Sequence, residues 1–178
     1  MFYKTRRRWT VLLPAGILIA CAVMFSACFD KKLPDNSEEG VTFTLIVLDL
    51  DETPLFEKEI LSHKSSLYDA FNEFEELQVR ATSSFLGAFV HSVAVGEIIE
   101  DENEFGNFSY FSESAKIEEN FVESRYIAVY HDMDDDTLKD FFIPNLVHSE
   151  KDFFYSGVGV SLLPLREGAS YILMLAAY

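Results

Sequence analysis

Residues 41–48, VTFTLIVL, form an unbroken β-branched and apolar run that passes directly into acidic residues, and this junction constrains the fold most. Such a run reads as a strand. Asp49 to Pro54 is acidic and ends in proline, which is turn chemistry. Leu55 to Leu61 then reads as a return strand, with Phe56 and Ile60 spaced for one face and Glu57 and Glu59 for the other. The domain is therefore expected to open with an antiparallel hairpin. Ser65-Ser66 can cap a helix over Leu67 to Leu77, where Leu67, Ala70, Phe71, Phe74 and Leu77 recur at helical spacing. Further strands are expected over 87–93, 125–131, 141–147, 153–156 and 170–177. Residues 98–119 read as acidic and irregular, and 163–168 as a turn before the last strand. One helix among many strands argues for an α+β fold rather than alternating βα units.

The N-terminal region reads as an export signal. Lys4, Arg6, Arg7 and Arg8 precede a mostly apolar stretch, Val11 to Phe25, of fifteen residues. That is short against the ~20 residues a membrane-spanning helix needs and suits a secretory signal. The stretch closes on Phe25-Ser26-Ala27-Cys28, which resembles a bacterial lipobox. The resemblance implies cleavage before Cys28 and a diacylglyceryl lipid on its thiol. Two or more acyl chains hold a protein stably at a membrane. The expected organisation is a lipoprotein signal over 1–27, the acylated cysteine and a polar tether over 28–40, and one domain over 41–178. The protein would then sit on the outer face of the cytoplasmic membrane. The only other cysteine, Cys21, leaves with the signal, so no disulfide or thiolate metal site is expected in the domain.

Charge narrows the partners. The full chain carries a formal charge of −16, with 14 Lys and Arg against 30 Asp and Glu. Without residues 1–27, ten basic residues face the same thirty acidic ones, a formal charge of −20. Nucleic acid is excluded as a natural partner, because binding it depends on neutralising phosphates with Lys and Arg.

The order of elements is similar to a known family. An opening hairpin with an acidic turn (VTFTLIVLDLDETPLFEKEI) is followed by SLYDAFNE, GAFVHSV and RYIAVYHDM, and then by YSGVGVSLLPLREGASYILML. This layout resembles the transcobalamin-like C-terminal domain of bacterial surface lipoproteins, and the resemblance covers about residues 41–178. It implies a β-grasp-like fold, with one helix packed on a mixed sheet and further C-terminal strands. It also implies a lipid-anchored, non-catalytic binding or interaction module without a cofactor. The ligand could be a surface protein, a glycan or a small molecule. The chain departs from the family in two places. Its one tryptophan, Trp9, lies in the signal, and an acidic and aromatic segment, 132–156, replaces a shorter hairpin.

Two acidic stretches carry a competing, enzymatic reading. VLDLDET, residues 47–53, resembles the nucleophile motif of haloacid-dehalogenase-like phosphatases, and DDTLKDF, 135–141, resembles their second acidic motif. In that alternative, a lipoprotein acid phosphatase, Asp49 attacks phosphorus, Asp51 handles the proton, and Asp136 and Asp140 hold Mg²⁺. Ser92 and Lys116 are the nearest candidates for the phosphate contacts. Both stretches also read as solvated turns. Asp132, Asp134 and Asp136 alternate like the start of a calcium loop, but Thr137 and Ile143 stand where an EF-hand needs glycine and glutamate. A weak Ca²⁺ site on these three carboxylates is a further candidate. His63, His91, His131 and His148 have no metal-ligand spacing. Phe105, Phe108, Tyr110 and Phe111, with Phe141, Phe142, Phe153, Phe154 and Tyr155, could line a recognition surface or fill the core.

Overall fold

The structure, a computed structural model, describes residues 39–177. The signal, the lipobox with Cys28, and nearly all of the tether lie outside the described residues. The protein is mostly β, with one mixed sheet and one antiparallel sheet.

Strand β1 (Val41–Leu48) turns into β2 (Pro54–Ser62), and the two pair antiparallel from Val41↔Ser62 to Leu48↔Pro54. The expected hairpin is present. A single α-helical turn, α1 (Leu67–Ala70), comes next, with Ser66 as its N-cap, and a 3-10 turn over Phe71–Glu73 continues it. Strands β3 (Leu77–Ser84), β4 (Gly87–Asn103) and β5 (Gly106–Glu118) form the antiparallel sheet. Strands β6 (Arg125–His131), β7 (Leu146–His148), β8 (Lys151–Tyr155) and β9 (Ser170–Ala177) complete the mixed sheet, in the order β2-β1-β9-β6-β8-β7. Strand β9 lies parallel to β1 and antiparallel to β6.

Both faces of the central strands are covered, which explains their near-continuous apolar sequences. Phe43, Leu45 and Val47 of β1 join Tyr171 and Leu173 of β9 in the main core. Val93, Val95 and Ile117 of the antiparallel sheet and the α1 residues Leu67 and Ala70 close this core from the other side. The intervening residues, Ile46, Leu48, Ala128, Tyr130 and Ile172, pack in a second cluster with Leu146 and Phe153.

Three expectations are corrected. The helix predicted over 67–77 stops after one turn, because Phe74 goes extended (φ −98°, ψ 110°) and Leu77 begins β3. The strand predicted over 141–147 shrinks to Leu146–His148, since Asp140 and its neighbours form a loop. Residues 98–119 are not irregular: they are the distal part of β4 and all of β5.

The stretch before β9 is held by the tyrosine of Gly168-Ala-Ser-Tyr171. Its phenol donates to Pro164 O at 2.6 Å and accepts from Arg166 N at 3.2 Å. Tyr171 is fully buried, edge-on to Phe43 at 5.6 Å, and burial pushes its phenol far above the usual range. Gly168, at φ +70°, turns the chain so that its N–H reaches Thr42 O at 2.8 Å, which seats β9 beside β1.

Candidate functional site

Asp49 and Asp51 sit in the β1–β2 turn, and their carboxylates serve that turn. Asp49 Oδ1 accepts from Leu50 N at 2.7 Å, and Asp51 Oδ1 from Thr53 N at 3.1 Å. The Thr53 hydroxyl and backbone hold the Asp51 carboxyl below its ordinary range. Glu52 takes the left-handed conformation at φ 62°, and Asp49 N donates to Thr53 O at 2.9 Å. A phosphatase nucleophile needs a strand that runs on into a loop and helix or cap. Here the chain reverses within the turn and pairs with itself. The proposed metal ligands are also engaged elsewhere: Asp136 with Lys139, and Asp140 Oδ1 with Phe142 N at 2.8 Å. Ser92 is buried, and Lys116 pairs with Glu118 at 2.8 Å. The Asp49, Asp51, Asp136 and Asp140 arrangement read from the motifs is thus not assembled.

The acidic turn over 132–140 is neutralised by one cation of its own and one from the segment before β9. Lys139 Nζ lies 2.5 Å from Asp134 Oδ1 and 3.3 Å from Asp136 Oδ1. Its side chain is only 8% exposed and lies over the Phe154 ring, 3.9 Å from the centroid. Arg166 pairs with Asp135, which also accepts from the Thr137 hydroxyl at 2.6 Å. Thr137 and Arg166 hold the Asp135 carboxyl down at about 2. Asp132 faces away from this set and accepts from Ser170 N at 2.8 Å. The three carboxylates of the Ca²⁺ candidate, Asp132, Asp134 and Asp136, have separate partners: one fastens β9 and the other two hold an ammonium. Among the described residues no group of three or more His, Cys, Asp or Glu is placed to hold a metal ion. Chemically, this network latches the turn onto the segment that leads into β9.

Beneath the turn lies His131, with no solvent exposure. Its Nε2 is 3.3 Å from Leu138 O, an oxygen that can only accept, so the proton sits on Nε2. Nδ1 has no partner and is buried. Burial is the main cause holding the imidazole pKa below its ordinary value.

The aromatics divide sharply. Phe153 is core, Tyr155 packs edge-on to Tyr130 at 5.4 Å, and Phe154 lies under Lys139. Phe141 and Phe142 are exposed on their loop. The others belong to the largest protruding feature. Strand β3 pairs with β4 only as far as Val95, and β4 and β5 run on together to Asn103↔Gly106. This two-stranded arm starts at a bulge between Val95 and Gly96. Only glycine fits at its root, where a Cβ on Gly96 would lie 2.1 Å from Ser112 O. Ile99 opposite Tyr110 and Asp101 opposite Phe108 share one face; Ile98 opposite Phe111 is on the other. Phe108 and Tyr110 stack at 6.0 Å with 23° between their planes. Phe105, at the tip, is 90% exposed. Sequence reasoning missed this arm; the available signal was the Gly106 turn lying between Ile98-Ile99 and the aromatics Phe108, Tyr110 and Phe111.

No protein-family model matches the chain, and no curated protein matches it. One solved structure similar to it is described as a "putative metal binding protein" from Ruminococcus gnavus. That likeness has a TM-score of 0.43 at 12% identity, covering 76% of this chain and 95% of the other. A likeness of that size carries no argument about function. Among the described residues, no helix is long and apolar enough to cross a membrane.

Proposed function

We propose that the protein is a lipid-anchored extracytoplasmic binding module, non-catalytic, with a β-grasp-like domain of the transcobalamin-like C-terminal kind. The sheet order supports the fold: an opening hairpin, with the last strand parallel to the first and between it and β6. The helical layer is reduced to α1 and its 3-10 extension. One observation carries the interaction reading. The β4–β5 arm leaves the body of the domain and exposes Ile98, Phe105, Phe108 and Tyr110 to solvent. Exposed apolar surface of this kind marks interaction sites in folded proteins. The lipobox supports anchoring through Cys28, which leaves the domain free of any other membrane contact.

Two measurements test the reading. Fractionation of cells expressing Cys28→Ala should move the protein from membranes to the soluble exported fraction, and retention on membranes counts against the anchor. Chemical crosslinking of intact cells, followed by purification of the protein, should recover it joined to another surface component. Recovery of the protein alone counts against an interaction module.

A further inference from the structure

We propose that the β4–β5 arm is the docking element, and that its partner is a protein surface with an apolar centre ringed by Lys and Arg. This inference rests on the interaction-module reading and adds the site and the partner's chemistry.

The first observation is geometric. The arm presents a stacked aromatic pair, Phe108 and Tyr110, on one face and Phe105 at its tip. Ile98 is 51% exposed, on the opposite face. Aromatic side chains offer large contact area at little conformational cost, and they dominate the energetics of protein interfaces. A core would bury them, yet the arm projects beyond β3 and leaves them open.

The second observation is the sign of the charge around them. From Ala81 to Ala115 the sequence has no Lys or Arg. The arm itself carries Glu97, Glu100, Asp101, Glu102, Glu104 and Glu113. Apolar residues rimmed by charge of one sign match the usual layout of an interface, an apolar centre within a polar rim. A rim of one sign selects its opposite, and juxtaposed like charges reject wrong partners.

Charge also sorts the other occupants. A second copy would set six carboxylates against six. Anionic phospholipid and teichoic-type phosphate polymers would meet the same repulsion. A basic protein surface gains both the apolar contact and the ionic rim, and its approach is steered over a distance of about a Debye length.

The experiment uses the full-length, acylated protein in intact host cells. A photoreactive benzoylphenylalanine replaces Phe105 on the arm or, as a control, Val122, which is 95% exposed on the 3-10 turn (Phe121–Glu123) that follows β5. Adducts are identified by mass spectrometry. The expected result is a protein adduct from position 105, absent from position 122, crosslinked at a peptide rich in Lys or Arg. The triple variant Glu100→Lys/Glu102→Lys/Glu104→Lys should cut the adduct about tenfold, as rim charges set encounter rates. Phe108→Ser/Tyr110→Ser should cut it as well, with neither variant melting below the parent. An adduct with lipid, with a second copy, or with a protein whose yield ignores the charge reversal overturns the proposal. Adducts from position 122 but not 105 overturn the arm as the site and leave the interaction reading standing. No adduct from either position, with none by chemical crosslinking, removes both.

Discussion

His131 and Asp135 are neighbours in sequence, but their protonation affects stability in separate pH windows. An unfolded histidine takes up its proton near pH 6.5. The buried imidazole resists it, so the unfolded chain binds more protons as pH falls below that value. The His131 contribution is thus fully present above about pH 6.5 and is lost as pH falls through the lower native value. Asp135 behaves in the usual carboxylate way: its contribution holds above the unfolded value and disappears as pH falls toward about 2. Urea unfolding between about pH 7.5 and 5.5 isolates the histidine. Stability should decline across that range, less steeply in His131→Gln, and the ring should titrate below its ordinary value by NMR. An unchanged slope in the variant would refute this account. These residue-level partnerships were mostly illegible in the sequence. The three aspartates 132, 134 and 136 look like a cation site because their neutralising groups lie elsewhere. Lys139 returns through the turn to Asp134 and Asp136, and Asp132 is taken by the Ser170 N–H at the start of β9. The turn before β9 was legible, because Pro164 and Gly168 mark it locally, but the bonds of the Tyr171 phenol that hold it were not.

The elements were legible where burial obeys one simple period. β1, β6 and β9 were read almost to the residue, because both their faces are apolar. The helix was half legible. Leu67, Ala70, Phe71, Phe74 and Leu77 are all buried as the helical spacing implied, but only one turn forms. A short helix depends on packing rather than propensity. Here Glu73, Glu75 and Glu76 also place negative charge where a longer helix would have its negative end. The arm was illegible because both its faces carry apolar and acidic residues, so no inside–outside alternation marks it. One contact between elements depends on two glycines that pack on each other, Gly87 and Gly159. Gly159 N donates to Leu86 O and Val160 N to Ala88 O, both at 2.7 Å, which binds the start of β4 to the segment before β9. A Cβ on Gly159 would lie 2.6 Å from Ala88 O. Gly159→Ala should therefore destabilise the protein by about 1–3 kcal/mol, the usual cost of overpacking. Thermal or urea unfolding measures this, and a variant as stable as the parent would mean that the two segments can separate freely.

Across the whole molecule, charge and topology set the behaviour. Among the described residues 27 Asp and Glu repel one another, while the surface pairs that offset them, such as Lys58 with Glu76 at 2.5 Å, contribute little. Raising the salt concentration shortens the Debye length from about 10 Å at 0.1 M to about 3 Å at 1 M. The melting temperature should rise with NaCl across that range, by differential scanning calorimetry. A fall would mean that attractive pairs outweigh the repulsion. The placement of β9 has a consequence for how the molecule is made. This strand, hydrogen-bonded on both sides, is the last of the described strands to emerge, from the ribosome or from export. Until it arrives, the β1–β2 hairpin and the β6–β8–β7 group each keep an open, apolar edge. Such edges recruit other chains. The emerging protein therefore passes its period of greatest aggregation risk before this eight-residue strand is inserted, and closes like a zip from the middle rather than from either end.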